Sequence, residues 1–198
     1  MIAIVDYGMG NLRSVEKALE KVGAEVNVTR DPDELRRADR IVLPGVGAFG
    51  DAMTNLEKRG LVEAIKEEVA AGKPFLGICL GLDLLFEESD EHGLHRGLGF
   101  LPGLVELLPT RLKIPQIGWN QVAIRKQSPL LAGIPDGSSF YFVHSYAVVP
   151  RQESDILCVT EYGCTFVSAV ERGNIAAFQF HPEKSSSLGL TILRNFAS

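Results

Sequence analysis

The sequence predicts a three-layer α/β domain whose central sheet is mostly parallel and gains antiparallel strands late in the chain. In the first half, short apolar runs alternate with helical patterns, which is typical of parallel strands joined by crossover helices. In the second half, short apolar runs are separated by turn residues, which favours antiparallel pairing. The chain has 198 residues, of which 45% are hydrophobic and 23% are charged. This composition supports one core, so residues 1–198 are treated as a single domain.

The first half predicts strands and helices in alternation. Asn11 stands where a helix cap is favoured, and Gly23 where a helix stop is favoured. The predicted strands are 2–6, 24–29, 40–44 and 74–78. The predicted helices are 12–22, 51–58, 61–71 and 80–89. A further short helix is predicted to begin at 31–33.

The second half predicts short strands after a connector. The segment EHGLHRGLGFLPG is rich in glycine and has no clear periodicity, so it is interpreted as a connector. A C-terminal helix is predicted over 187–197. The predicted strands are 104–108, 113–119, 139–149, 156–162, 165–173 and 175–181.

Composition excludes several classes of protein. The net charge of -5 and pI of about 5.4 predict no nucleic-acid partner, because such proteins present a basic face. Three cysteines are too few for a disulfide scaffold, which favours free thiols in the cytoplasm. The most apolar stretch, PFLGICLGLDLLF, is shorter than the roughly 20 residues of a membrane span. The opening MIAIVDYG resembles a buried strand rather than a signal peptide.

The pentapeptide GICLG carries the strongest chemical signal. Cys79 lies between a predicted strand and helix, with Gly77 and Gly81 at two residues on either side. This spacing is typical of a nucleophile elbow, in which larger side chains at these positions would collide. A helix N-terminus also favours the thiolate, and the Leu80 N–H can stabilise an oxyanion. A buried structural cysteine is the alternative; Cys158 and Cys164 lack the glycines and are interpreted that way.

A cysteine nucleophile requires a histidine base that a third group orients. His181 follows the predicted strand IAAFQF, and Glu183 comes two residues later, after Pro182. We therefore predict His181 as the base and Glu183 as its orienting carboxylate. His92 and His95 could bind a metal ion with Asp90 or Glu91, but the polar connector favours a solvated loop, so no metal site is predicted.

The loop GVGAFG, residues 45–50, matches the G-x-G-x-x-G pattern of dinucleotide-binding sites. It follows the third predicted strand rather than the first, Pro44 precedes it, and no strand about 20 residues later ends in an acidic residue. The alternative interpretation is that its backbone N–H groups face Cys79 and form the second part of an oxyanion hole.

Together, PGVG, GICLG and FQFHPEKS resemble the class I, triad-type glutamine amidotransferases, which have a flavodoxin-like fold. The resemblance spans nearly the whole chain. DYGMGN, GWN and HPEKS are most similar to the glutaminase subunits that serve histidine biosynthesis. The resemblance implies that Cys79 attacks the side-chain amide of L-glutamine, that His181 transfers protons and that Glu183 orients His181. The residues implied in oxyanion and substrate binding are Gly45, Val46, Gly47, Leu80, Ser145 and Tyr146.

The resemblance also implies a heterodimer with a cyclase subunit that has a (β/α)8-barrel fold and receives the ammonia. No cofactor or metal is expected. One position departs from the family pattern: Asp83 stands where a glutamine is usual, and the substrate ammonium could pair with it. The residues implied at the cyclase interface are Asn11, Gly118, Trp119, Asn120 and Lys184.

Three other functions remain open at this point. A sister glutaminase for anthranilate, aminodeoxychorismate or guanylate synthesis would use the same triad with another partner. A cysteine peptidase or amidase would work without a partner. A nucleotide-binding module would bind a dinucleotide and not hydrolyse glutamine.

Overall fold

The computed structural model describes residues 1–198. Its strands, in chain order, are β1 (Ile2–Val5), β2 (Val26–Thr29), β3 (Arg40–Gly45), β4 (Phe75–Cys79), β5 (Phe86–Ser89), β6 (His95–Arg96), β7 (Leu101–Leu107), β8 (Gln116–Gln121), β9 (Ala123–Ile124), β10 (Ser139–His144), β11 (Tyr146–Pro150), β12 (Ile156–Glu161), β13 (Thr165–Arg172) and β14 (Ile175–Phe178). Its helices are α1 (Leu12–Lys21), α2 (Pro32–Arg37), α3 (Phe49–Lys58), α4 (Leu61–Ala70), α5 (Leu80–Asp83) and α6 (Ser186–Ala197), with 3-10 turns at Pro129–Leu131, Glu153–Asp155 and Pro182–Lys184.

The main sheet has a parallel part and a part dominated by antiparallel pairs. Strands β2, β1, β3, β4 and β14 lie side by side and all pair in parallel. The sheet continues through β13, β11, β7, β5 and β6, and β12 and β9 branch from β13. The predicted fold class is confirmed. The parallel strands end at one edge, which is where open α/β sheets place their sites.

Helices cover both faces of the parallel strands, which makes three layers. On one face, a buried cluster joins α2, α3 and α4 to the sheet through residues such as Leu35, Phe49 and Ile65. On the other face, α1 and α6 pack through residues such as Leu19 and Phe196. The longer helices α1, α3, α4 and α6 each bury one apolar stripe, as the 3.6-residue pattern predicts. None of the helices is both long and apolar enough to cross a lipid bilayer.

Strands β8 and β10 form a separate two-stranded ribbon. Their register pairs Gln116 with His144 at one end, and Trp119 lies opposite Tyr141. Phe140 stacks on Phe180, with ring centroids 4.2 Å apart, so the ribbon is packed on the segment that follows β14.

Several predicted boundaries are wrong. The helix predicted over 80–89 ends at Asp83, and Phe86–Ser89 is a strand that pairs in parallel with β7. A short apolar run does not distinguish a helix from a buried strand. The strand predicted over 139–149 divides at Ser145, where the chain passes from the ribbon to the main sheet. The strand predicted over 175–181 ends at Phe178.

Smaller differences concern strand ends and caps. The strand predicted over 113–119 begins at Gln116, because Pro115 cannot donate to a strand partner. The connector holds the short strand β6, and β9 was not predicted. Asn11 is at the N-cap of α1 but makes no side-chain capping bond, whereas Asp31 caps α2 by accepting from the Asp33 N–H.

Candidate active site

Cys79 lies on a strained elbow at the carboxyl end of β4. Its φ of 55° and ψ of -114° are unfavourable for a residue with a side chain, so the surrounding structure must hold this conformation. A Cβ at Gly81 would overlap the Leu43 carbonyl oxygen, and one at Gly77 would lie 2.5 Å from the Gly81 oxygen. Both glycines are therefore required by the close approach of backbone atoms, as the elbow interpretation predicts.

The surroundings of the Cys79 thiol favour its protonated form. Its Sγ donates to the Val143 carbonyl oxygen at 3.6 Å. Burial is the main cause that raises the pKa of the thiol; the Glu183 carboxylate adds to the rise, as Asp83 would if it were ionised, and the Leu80 N–H and Lys184 offset part of it. The predicted lowering of the pKa by the helix N-terminus is thus wrong. Helix α5 has only four residues, and its dipole is too small to overcome burial.

His181 and Glu183 are held together behind the cavity. His181 follows β14 at the start of the 3-10 turn, and its Nδ1 lies 2.8 Å from Oε1 of Glu183. Both side chains are buried. The His181 backbone N–H donates to the Tyr141 carbonyl, so β10 fixes this segment. With Nδ1 bound to Glu183, Nε2 is the ring nitrogen left to exchange protons in the cavity.

One cavity of about 470 Å³ brings the predicted residues together. Gly45 lies next to it, because it pairs with Cys79 in the β3–β4 register. Glu183 stands behind His181 rather than in the wall. The predicted residues that line this cavity are Val46, Gly47, Cys79, Leu80, Ser145, Tyr146, His181 and Lys184.

The glycine loop, residues 45–50, forms part of the wall of the cavity that Cys79 lines. Val46 and Gly47 are in its wall, and Gly47 has a φ of 102°, which favours glycine. A Cβ at Gly45 would lie 2.6 Å from the Tyr7 hydroxyl and 2.8 Å from Leu80 Cβ. This close packing brings the loop backbone against the elbow, as the oxyanion-hole interpretation requires.

Comparison with known proteins gives the family. The family model described as glutamine amidotransferase class-I matches residues 3–198. The chain belongs to this family. The resemblance predicted from the motifs is therefore confirmed.

Curated relatives match this amidotransferase over nearly its whole length. The imidazole glycerol phosphate synthase subunit HisH of Aquifex aeolicus (strain VF5) is 60% identical over 194 residues, covering 98% of this chain and 94% of the relative. The protein of the same name from Moorella thermoacetica is 55% identical over 195 residues, covering 98% and 93%.

Solved structures agree on the fold. A crystal structure of a glutamine amidotransferase has a TM-score of 0.75 at 22% identity and covers 100% of both chains. The structure of PurLQS from Thermotoga maritima has a TM-score of 0.79 at 18% identity and covers 98% of this chain and 96% of the other. At these identities the likeness concerns the fold alone.

Sequence reasoning did not assign a substrate role to Glu91, although it lines the amidotransferase cavity. Its Oε2 accepts the backbone N–H of Phe49 at 2.7 Å, which ties the connector to the start of α3. The connector has no periodic pattern, and only the tertiary contact between residues 42 apart brings Glu91 to the cavity. No group of three or more His, Cys, Asp or Glu side chains is arranged to hold a metal ion.

Four of the predicted interface residues lie outside the cavity. Trp119 is 54% exposed on β8, and Asn11 is exposed at the start of α1. Gly118 has a φ of 135° beside Trp119. Asn120 is bonded within the chain, since its Nδ2 donates to the Glu161 carbonyl at 2.9 Å. The fifth, Lys184, is exposed and reaches the cavity wall.

Proposed function

We propose that this amidotransferase is the glutaminase subunit of an imidazole glycerol phosphate synthase. It hydrolyses L-glutamine to glutamate and ammonia, and a (β/α)8-barrel cyclase subunit uses the ammonia to make imidazole glycerol phosphate and an aminoimidazole carboxamide ribotide. The observation that carries the proposal is the convergence of Cys79 and the His181–Glu183 pair on one cavity. The identity of up to 60% with HisH subunits supports the choice of pathway.

The first half of the reaction forms a thioester. His181 Nε2 accepts the proton of the Cys79 thiol as Sγ attacks the side-chain carbonyl carbon of glutamine. The negative charge that develops on the carbonyl oxygen is stabilised by the backbone N–H groups of Leu80 and of the loop at Val46 and Gly47. His181 then donates the proton to the departing nitrogen, the carbon–nitrogen bond breaks and ammonia leaves.

The second half releases glutamate. His181 accepts a proton from water, the oxygen of which attacks the thioester carbon. The carbon–sulfur bond breaks, the proton returns to Sγ and glutamate leaves. Glu183 keeps a proton on Nδ1 throughout, which reserves Nε2 for these transfers. The side chains that are present perform every step, so no cofactor is required.

Glutamine is a zwitterion, so its site must supply a negative group for the α-ammonium and hydrogen-bond donors for the α-carboxylate. Glu91 supplies a carboxylate in the cavity wall, which suits the α-ammonium group. Ser145 and Tyr146 supply hydroxyl groups for the α-carboxylate or the amide. We therefore assign recognition of the ammonium group to Glu91.

The exposed surface of β8 is suited to binding the cyclase. Ile117 is 63% exposed and Trp119 is 54% exposed, so the ribbon presents apolar surface beside Lys184 of the 3-10 turn. Large apolar side chains of this kind are typical interface anchors. The three cysteines are free, which fits a reducing compartment, and we expect the complex in the cytoplasm.

A glutaminase assay with and without a barrel cyclase tests the proposal. We expect weak turnover by the isolated chain, because the thiol is protonated at rest, and a marked rise when the cyclase and its ribotide ligand are present. Mass analysis after treatment with a diazo-ketone glutamine analogue should locate the adduct on Cys79. Activation by a chorismate-using synthase instead would assign the chain to another pathway. Full activity without any partner would contradict the proposed coupling.

A further inference from the structure

Asp83 is the one acidic side chain of the cavity to which the reaction assigns no role. It ends α5, one helical turn after Cys79, and its side chain lines the same cavity. Only 6% of the residue is exposed, and its Oδ1 has no hydrogen-bond partner. A buried carboxylate without partners is costly, so this side chain must either find a counter-charge or hold a proton.

Gln179 supplies a neutral neighbour rather than a counter-charge. It directly follows β14, which pairs with β4 and packs against α5, the helix that Asp83 ends. It is fully buried, and neither its Nε2 nor its Oε1 has a partner within hydrogen-bonding geometry. A protonated carboxyl group complements a carboxamide, because the O–H donates to Oε1 and the free oxygen accepts from Nε2. An ionised carboxylate can only accept, which would leave Oε1 of Gln179 buried without a donor.

The charged surroundings of Asp83 favour the neutral form. Strand β4 contributes the Cys79 thiol, β10 contributes His144, β11 contributes Tyr146 and the connector contributes Glu91 and His92. The 3-10 turn segment contributes His181 and Lys184, with Glu183 behind His181. Lys184 is the only lysine or arginine among these groups, and it is exposed. Burial first, and then the charge of Glu91, raises the pKa of Asp83 well above its ordinary range, and Gln179 offsets only part of this.

We propose that Asp83 functions as a neutral carboxylic acid paired with Gln179, and that this leaves Cys79 without an anion one turn away when the thiolate must form. Asp83 is then a positioning residue, and it does not bind the substrate ammonium, which is left to Glu91. The role in turnover rests on the proposed glutaminase function, but the protonation state does not. A neutral acid here has the same charge as the glutamine usual in the family.

Infrared spectroscopy of the full chain tests the protonation state directly. Wild type labelled with carboxyl-¹³C aspartate should show, at neutral pH, a protonated carboxylic C=O band that shifts with the label and in D₂O. The other buried aspartate, Asp155, is ion-paired with Arg172 and contributes no such band. The band should be lost in Asp83→Asn and kept in Asp90→Asn, an exposed control just before the connector. Lack of the band in labelled wild type would overturn the proposal without any variant.

Thiol ionisation supplies a second measurement. The alkylation rate of Cys79 by iodoacetamide is followed against pH, with peptide mapping to separate Cys79 from Cys158 and Cys164. Asp83→Asn should give the same curve as wild type, because both side chains are neutral. A displacement of the variant's curve to lower pH by about one unit or more would mean that wild-type Asp83 is an anion, and it would refute the proposal.

Turnover with the cyclase then separates this proposal from the proposed function. We expect kcat/KM of Asp83→Asn to stay within about threefold of wild type, and Glu91→Gln to raise KM for glutamine by about tenfold or more through loss of a charged contact. A similar rise in KM for Asp83→Asn would assign the ammonium to Asp83 and overturn the inference. If wild type does not hydrolyse glutamine, the proposed function fails while the infrared and alkylation results still decide the state of Asp83.

Discussion

The parallel strands and the β8–β10 ribbon hold their parts of the active site by different means. Around Cys79 the constraint is backbone contact: Gly77 and Gly81 have no space for a Cβ. Around the ribbon it is side-chain hydrogen bonding, as in His144: its Nδ1 donates to the Tyr146 carbonyl at 2.8 Å, and its Nε2 lies 2.9 Å from the carboxamide of Gln116, whose NH2 group donates to it when the ring is neutral. Steric contact allows one arrangement, whereas side-chain bonds can exchange partners, so we expect a docking partner to act through the ribbon.

Cys79→Ala should produce the largest change. Glutaminase activity should fall by about 10⁴-fold or more, because no other group can form the thioester. The side chain is small and lines the cavity at the edge of a buried cluster, so its truncation should cost about 1 kcal/mol or less and leave cyclase binding largely unchanged. The measurements are turnover with the cyclase, thermal unfolding and binding by calorimetry. Residual turnover above a tenth of the wild-type rate would refute the assignment of the nucleophile.

Gly81→Ala tests the rigidity of the elbow. The new Cβ would overlap the Leu43 carbonyl oxygen, and both groups belong to the backbone framework. We expect the free energy of unfolding to fall by about 3 kcal/mol or more, with loss of activity in the remaining folded protein. Urea unfolding measures the effect.

Gly50→Ala is the matched control for the elbow. The three atoms nearest to its Cβ would all belong to the His95 ring, the first 2.5 Å away, and that side chain can rotate out of the way. Gly50 is also within α3, where alanine is favoured over glycine by about 1 kcal/mol. Stability should therefore be unchanged or higher. Equal losses in the two variants would show that the elbow is not specially constrained.

His144→Gln tests whether the hydrogen bonds of His144 in the ribbon make the stability of the chain depend on pH. Burial, followed by the charge of His181, lowers the pKa of His144 to about 4, although the Tyr146 carbonyl partly opposes this. Between about pH 4 and the ordinary value near 6.5 the unfolded chain binds more protons than the folded one. The stability that depends on neutral His144 is therefore complete above about pH 6.5 and is lost as the pH falls towards 4.

Urea unfolding of wild type and His144→Gln at about pH 7 and pH 4.5 measures this difference. Wild type should lose about 2 kcal/mol more than the variant on acidification, since glutamine does not titrate. Parallel losses in the two proteins would mean that His144 is not held in its neutral form.

Trp119→Ala should have the smallest effect on the chain and a selective effect on its partner. The side chain is 54% exposed and contacts Tyr141 edge to face, so the free energy of unfolding should change by about 1 kcal/mol or less. Cyclase affinity should fall by about tenfold or more, as for an aromatic anchor. Leu94→Ala, at a position 75% exposed in the connector, is the control and should bind normally. Unchanged affinity in Trp119→Ala would remove the ribbon from the interface.

Local pattern predicted much of this molecule. The alternation of strands and helices identified four of the five parallel strands, while β14 was predicted only as one of the late strands. The glycine spacing identified the Cys79 elbow, because a tight turn is encoded within five residues. The tripeptide after IAAFQF likewise identified the His181–Glu183 pair, which needs only a two-residue separation. The helix predicted over 80–89 was wrong because Phe86–Ser89 is a strand through its pairing with β7, a contact that no local pattern records.

By itself, the sequence determined the elbow, the base with its carboxylate and the alternation of strands and helices in the first half, all of which depend on neighbouring residues. Tertiary structure alone decided the raised pKa of Cys79 and the positions of Glu91 and Gln179 near Asp83. It also decided that the strand predicted over 139–149 divides at Ser145. The pKa of a group depends on burial and on charges from distant parts of the chain, and these are settled only when the segments pack together.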